Sequence, residues 1–350
     1  MPVSIVVGGQ FGSEGKGKVA LEVVRADATV AAVVRVGGTN SGHTSVGRDG
    51  RVHALRQIPA GSTDGEVLTV LPPGAYIDLE IFDKEVKELG LTQEKVAISQ
   101  YARVITADHK EWERASRLNA QIGSTESGTG AAVLAMVGRG AASLKLQSVQ
   151  AGDVASLAPF VKEDTTGMLR AILDNGKRVV IEGTQGFGLS ILQGGHWPKV
   201  TSRDTTAAGF LSEAGLSPRD VDDVILVIRC HPIRVAGDSG PLYQETTWEA
   251  VATGAGLTSW TPELTTVTKR IRRVGMFDPF LVRRAIDANR PDRIVLNHLD
   301  YVDAAVLQGT LTRKAEAFVH YVETEIRHRI DYVGVGPSEM IKTKKERVVT

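Results

Sequence analysis

Between Gly8 and Lys18 the chain reads GGQFGSEGKGK, five glycines with Lys16 and Lys18 set among them. Glycines let backbone N–H groups come close to an anion, and the lysines add charge. The Val19 to Val24 stretch that follows suits a helix whose N-terminus favours negative charge, so the segment reads as a phosphate loop. It is not a Walker loop: five residues, not four, separate Gly9 from the Gly15-Lys16 pair, and Gly17 stands where a magnesium-ligating Ser or Thr belongs. GxGxxG spacing is absent too, and a glycine-rich turn with no ligand is the plain alternative. Farther on, GGTNSGHT, residues 37–44, combines a flexible backbone with the His43 imidazole, a group that donates to a developing oxyanion or a phosphate unless it is an idle loop histidine. GSTESGTG, residues 123–130, offers hydroxyls and amides for a second anion, or simply caps the small-residue helix it opens. In EGTQG, residues 182–186, the Gln185 amide both donates and accepts, as the reading of a purine edge requires. TTVTKRIRR, residues 265–273, packs Lys269, Arg270, Arg272 and Arg273 into five positions. A solvated basic face would look the same, but forked donors beside hydroxyls also suit small carboxylates. Finally, NHLD, residues 297–300, has the form of the N/T-K-x-D guanine-reading segment of GTP-binding proteins, with His298 for the lysine and Asp300 kept as an acceptor.

These groups need strands to hold them. Apolar, β-branched runs at Val3 to Val7, Thr29 to Val36, Lys95 to Ile98, Arg178 to Ile181, Val224 to Arg229 and Arg293 to Leu296 read as buried parallel strands. Helical patterns lie between them at Leu79 to Leu89, Lys110 to Ala120, Val154 to Asp174 and Pro279 to Ala288. The alternation predicts a single α/β domain, residues 1–350, with a central, mainly parallel sheet and ligand loops at the carboxyl ends of its strands. The 41 basic and 41 acidic residues cancel, which argues against a nucleic-acid coat or a membrane-surface protein. The lone cysteine, Cys230, falls in an apolar run and reads as a buried strand residue. Without a secretory-type leader or an apolar stretch of membrane-spanning length, the expected compartment is the cytoplasm, that of the host if a phage encodes the chain.

Taken together and in order, these segments resemble the adenylosuccinate synthetase family, from Gly8 to the Gly336-Pro337 turn. That family carries GxQWGDEGKGK, GHNAGHT, TTGRGIGP, EGAQG, TTGRxRRTGW and TKxD segments. The resemblance implies a C–N ligase working in two steps at the purine 6-position: the 6-oxygen attacks the γ-phosphate of a nucleoside triphosphate, then the amine of L-aspartate displaces phosphate. It implies His43 as the acid at the transferring phosphoryl group, Lys16 neutralising its charge, and Gln185 and Ser13 as the further catalytic positions. Triphosphate contacts carry over to Gly12, Glu14, Gly15, Gly17, Gly42, Thr44, Asn297, Asp300 and Gly336. The purine monophosphate falls to Ser13, Asn40, Thr125, Gln185 and Thr201, with Arg139 reaching it from the neighbouring subunit of a homodimer. L-Aspartate falls to Thr268, Arg270 and Arg272. Mg²⁺ falls to the Gly42 carbonyl, the Ser13 position and phosphate oxygens.

Three departures alter that inheritance. Ser13 occupies the place of the aspartate that removes the proton from ring nitrogen 1 of IMP and ligates magnesium, and a hydroxyl of very high pKa does neither as well. Decay to an inactive enzyme should not leave the surrounding histidine, lysine, glutamine and arginines intact. A changed substrate fits better: guanine carries a 2-amino group beside nitrogen 1, and a smaller neutral hydroxyl leaves room and an acceptor for it. In this serine and in its compact length the chain resembles the phage branch of the family, PurZ, which converts dGMP to N6-succino-2-amino-2'-deoxyadenylate on the way to 2-aminoadenine DNA. Loss of the NHLD lysine favours ATP or dATP over GTP. Lys269 and Ile271 replace a glycine and an arginine of the aspartate loop but leave its two donor arginines. The rivals are an ordinary synthetase using IMP and GTP, and a non-catalytic nucleotide switch, for which the Walker loop and the NKxD lysine are both missing.

Overall fold

Valine- and isoleucine-rich runs build the centre of the molecule, with the buried charges Arg35, Glu182 and Arg229 at their carboxyl ends. A computed structural model describes residues 2–265 and 269–343. Its main sheet has ten strands, in the order Val161–Lys162, Val96–Ser99, Leu68–Leu71, Val30–Arg35, Arg178–Glu182, Val3–Gly8, Val221–Arg229, Arg293–Asn297, Tyr332–Val335 and Glu339–Lys342. Neighbours run parallel except the last pair. Side chains alternate between the faces with the strand period of two. Val3, Ile5 and Val7 join the larger core beneath the helices Thr165–Asp174, Ala207–Ala214, Pro279–Asn289 and Arg313–Ile326. Val6 points the other way, against Val19, Ala20 and Val24 of the helix Lys16–Ala26. Cys230 is buried as expected but lies one residue past the strand Val221–Arg229. Among the described residues no helix is long and apolar enough to cross a membrane.

All six expected strands are present, and the parallel arrangement puts their carboxyl ends on one edge. Leu68–Leu71 is a further inner strand, too short before Pro72-Pro73-Gly74 for periodicity to reveal it. Two expected helices are corrected. Lys110 to Ala120 is divided between Ala107–Ala115 and Leu118–Ile122, where Arg117 takes a φ of 52° and breaks the run. Val154 to Asp174 is α-helical only over Thr165–Asp174. There Asp164 caps the N-terminus by accepting from Gly167 N at 2.7 Å, and short turns and an edge strand precede it. Apolar spacing continued through both breaks because it reports burial, whereas caps and left-handed residues end helices.

Candidate active site

The phosphate loop leaves its strand at Gly8 and turns through Gly12, Ser13 and Gly15, with φ of 89°, 58° and 90°, before the helix begins at Lys16. The turn is built around Glu14. Its carboxylate accepts from Gln10 N at 3.1 Å, Gly12 N at 2.7 Å and Lys16 Nζ at 2.7 Å. Gly8 and Gly186 leave the space it needs, since a Cβ at either would lie 2.6 or 2.4 Å from a Glu14 oxygen. Lys16 also donates to the Gln185 carbonyl. Both Glu14 and Lys16 are buried, and Glu14 is the internal counter-ion that orders the loop. Two of the three Lys16 donors are used, which leaves one for a phosphoryl oxygen.

His43 opens the strand His43–Val46, behind the same loop; Gly17 lets the two segments touch, because a Cβ there would be 2.7 Å from the His43 Cβ. His43 Nδ1 lies 2.5 Å from Glu182 Oε1, which also accepts from Arg35 Nη1 at 2.8 Å and from Ala60 N at 3.0 Å, while Glu182 Oε2 accepts from Gly61 N at 3.1 Å. Burial, reinforced by Arg35, pushes the imidazole down to about 4. Burial works against the Glu182 carboxylate, but His43 and Arg35 hold it down at about 2. An ionised carboxylate on Nδ1 selects the tautomer with its proton there, and Nε2 is buried without a partner. The neutral ring therefore presents an acceptor, and it becomes the expected acid only after taking up a proton. Sequence reasoning saw Glu182 only as the first letter of EGTQG and missed Arg35 altogether; a charged residue ending an otherwise apolar strand was the available signal.

A cleft is lined by Gly12, Ser13, Asn40, Gly42, Thr125, Gln185, Thr201 and Arg272, so the loops expected to share one site do share it, but the buried Lys16 and His43 are not among its lining residues. Asn40 Nδ2 donates to Thr201 Oγ1 at 3.4 Å, joining two of the monophosphate candidates. The helix Thr129–Val137 is not the open anion site its sequence suggested. Glu113 already accepts from Gly128 N at 2.9 Å, Gly130 N at 2.8 Å and Ala131 N at 3.2 Å, so hydroxyls such as Thr125 remain for an anion. Arg139 follows that helix, is exposed, and faces a different groove with Arg103 and Lys145. Within one chain it does not join the cleft lining.

The NHLD segment lies beneath the phosphate loop. Asn297 Nδ2 donates to the Glu14 carbonyl at 2.7 Å, and Asp300 Oδ1 accepts from Gly336 N at 3.1 Å. Lys18 Nζ donates to the Gly336 and Glu339 carbonyls at 3.2 Å each, and burial brings it down to about 8 against the pull of Asp300. His298 stacks on Tyr301, ring centroids 5.7 Å apart, and burial together with Arg229 lowers it to about 3. It is therefore neutral at physiological pH and supplies no substitute for the lysine cation. Thr44 is exposed on its hairpin.

Thr268 lies outside the described residues. On its two sides Leu264 and Ile271 bridge, and Thr265 Oγ1 accepts from Arg270 N at 3.0 Å. Arg272 turns into the cleft and Arg270 stays exposed.

The model of the family described as adenylosuccinate synthetase matches residues 5–148 and 145–308. The chain belongs to the adenylosuccinate synthetase family. It is 38% identical over 345 residues to the adenylosuccinate synthetase of Thermococcus onnurineus, covering 96% of each chain. With that of Archaeoglobus fulgidus the identity is 35% over 356 residues, covering 99% of this chain and 100% of the relative. Compact length therefore does not set the phage branch apart, because these archaeal synthetases share it. Among solved structures, the succinoaminodeoxyadenylate synthetase (PurZ) of cyanophage S-2L, bound to dGMP and dATP, matches with a TM-score of 0.81 at 28% identity, over 98% of this chain and 95% of that one. The fully ligated adenylosuccinate synthetase of Plasmodium falciparum has the same fold, with a TM-score of 0.83 at 21% identity over 98% and 100% of the two chains. The family makes carbon–nitrogen bonds, which agrees with a cleft lined by the phosphate loop and by Arg272.

Proposed function

We propose that this enzyme condenses dGMP with L-aspartate at the expense of ATP or dATP, giving N6-succino-2-amino-2'-deoxyadenylate, the nucleoside diphosphate and phosphate, in the pathway to 2-aminoadenine DNA. The observation that carries the proposal is Ser13, which lines the cleft with a φ of 58° where the family has its catalytic aspartate. A hydroxyl accepts from the guanine 2-amino group and leaves it space; a carboxylate there suits the bare carbon 2 of IMP. The phage neighbour holding dGMP and dATP supports the reading.

In this scheme Gln185 reads the purine edge, and Asn40, Thr125 and Thr201 bind the monophosphate. Arg139 reaches that phosphate from the partner copy of a homodimer. Lys16 directs its remaining donor to the transferring phosphoryl group; the proton of purine nitrogen 1 passes to a water held by Ser13 or to the triphosphate, and His43, once it has taken up that proton, donates it to the transferring group. Glu182 stabilises the imidazolium. Gly12, Gly15, Gly17, Gly42 and Thr44 surround the triphosphate, and Asn297, Asp300 and Gly336 form the base end. Thr268, Arg270 and Arg272 bind L-aspartate through charge-assisted hydrogen bonds. Among the described residues no cluster of acidic or imidazole groups forms a metal site, and the Glu14 carboxylate is already engaged. The Gly42 carbonyl and Ser13 hydroxyl are neutral oxygens, which fit a Mg²⁺ carried mainly by phosphates; bound there, the ion would neutralise phosphoryl charge.

The archaeal relatives favour a second reading, an ordinary synthetase acting on IMP with GTP. Purified protein incubated with L-aspartate, Mg²⁺, ATP and either dGMP or IMP separates the two. Mass-detected succino-adduct from dGMP is the expected result, and turnover of IMP alone overturns the proposal. Aspartate-dependent phosphate release with either nucleotide excludes a non-catalytic switch.

A further inference from the structure

Three of the loops that carry the purine candidates meet at the cleft through weak contacts. Gln185 N donates to Ser41 Oγ and Asn40 Nδ2 to Thr201 Oγ1, each at 3.4 Å, near the outer limit of a hydrogen bond. Bonds of that length contribute little, so the hold on the loops lies beneath them. There Thr205 Oγ1 donates to the Gly186 carbonyl at 2.9 Å, joining two of the loops. The Arg203 guanidinium, which the reaction scheme leaves idle, joins all three.

Arg203 is buried and lies two residues past Thr201. Its Nη2 donates to Thr184 Oγ1 at 2.9 Å, next to Gln185, and its Nη1 donates to the Glu213 carboxylate. Gly37, at the root of the Asn40 loop, packs directly on it: a Cβ there would lie 2.4 Å from Arg203 Nη2 and 2.7 Å from Thr184 Oγ1. Glu213 reaches the same glycine through the backbone, because its carbonyl accepts from Gly74 N at 3.0 Å and the Gly74 carbonyl accepts from Gly37 N at 3.2 Å. The helix Ala207–Ala214 thus holds the Asn40 loop through main chain and the other two through an ion pair. Arg203 does not line the cleft.

We infer that Arg203 and Glu213 are positioning residues for the purine monophosphate, fixing Gln185, Asn40 and Thr201 relative to one another without touching the nucleotide. The inference rests on the assignment of those three residues to the purine nucleotide. Its signature is a dependence on pH. Burial raises the Glu213 carboxyl to about 7 despite Arg203, and Asp204 adds to the rise. Tyr76, acted on by both partners from the strand Tyr76–Ile77, stays neutral because burial lifts its hydroxyl to about 12. Arg35 is a like charge to Arg203 and offers it no anion. Protonation of Glu213 therefore withdraws the counter-charge from Arg203 as pH falls through about 7, and the hold on Thr184 loosens.

Steady-state kinetics of the wild type, Arg203→Lys and Glu213→Gln test it, varying dGMP, IMP, ATP and L-aspartate in turn with the other substrates saturating. Lysine keeps the charge but not the fork that serves Glu213 and Thr184 together. Arg203→Lys should therefore raise KM for the purine monophosphate about tenfold and leave KM for ATP and L-aspartate within about twofold of wild type. In the wild type the monophosphate KM should rise between about pH 8 and 6, and Glu213→Gln, an uncharged stand-in for the protonated acid, should show the raised value already at about pH 8 with a flatter profile. The substrate phosphate titrates identically in both proteins, so the difference between them belongs to Glu213. Thermal unfolding shows whether each variant is folded, and Glu213→Gln carries the test if Arg203→Lys is not. Equal rises in all the KM values, or the same pH profile in wild type and Glu213→Gln, overturns the inference. The expected changes seen with IMP, where dGMP is not turned over, support it and remove the proposed substrate instead.

Discussion

Two walls of the cleft are built on opposite principles. The strand-end wall is finished before any ligand arrives: Glu14 pairs with Lys16, and Glu182 with Arg35 and His43, all buried. The other wall, residues 263–265 and 269–272, is held by backbone rungs and, among the described residues, by a single ion pair, Glu263 with Arg229, and leaves Arg270 in solvent. The contrast follows from what each must do. Stabilising charge that develops on a phosphoryl group requires dipoles and cations that do not reorganise, whereas capturing a small, freely diffusing dicarboxylate requires an approach from outside.

If the strand-end wall is preorganised, breaking it should cost stability as well as rate. Glu182→Gln leaves Arg35 buried without its anion, and urea denaturation should show a loss of about 3–5 kcal/mol together with a fall in turnover of about 10²-fold. A variant of wild-type stability would remove the contrast. Ser13 lies where the walls meet, and Ser13→Asp should lower kcat/KM for dGMP on the order of tenfold to a hundredfold and admit IMP. Unchanged dGMP kinetics would take serine out of the specificity argument. On the open wall, Arg270→Gln should raise the KM for L-aspartate about tenfold, the worth of a charge-assisted hydrogen bond, while unfolding stays within about 0.5 kcal/mol of wild type. A matching loss of stability would place Arg270 in the framework instead.

The smallest effect concerns pH. His43, His231 and His298 are lowered to about 4, 4 and 3, burial being the main cause in each. The unfolded chain then binds more protons than the folded one below the ordinary histidine value, so stability falls on acidification from about pH 6.5 towards 4. Glu182 and Glu263, both held at about 2, add a further loss below their ordinary range. Glu213, raised by burial to about 7 despite Arg203, offsets part of this, because its protonated form favours the folded state at lower pH. Replacing His231 with Asn should flatten the slope between pH 4 and 6.5 by at most one proton, about 1.4 kcal/mol per pH unit, read from denaturation midpoints across that window.

The sequence by itself determined the strands, because an apolar β-branched run has only a buried sheet to go to, and it determined which loops meet, because parallel strands share a carboxyl edge. It also exposed Ser13, a substitution visible without coordinates. What it could not order was the hidden electrostatics. Glu14 faces inward to neutralise Lys16 only two residues away, while Glu182 sets the His43 tautomer, Glu113 fills a helix N-terminus and Arg229 ties Ser13 to Glu263 across longer stretches of chain. Spacing encodes local geometry. Which buried charge meets which counter-charge is decided only when packing removes water and obliges each group to find a partner.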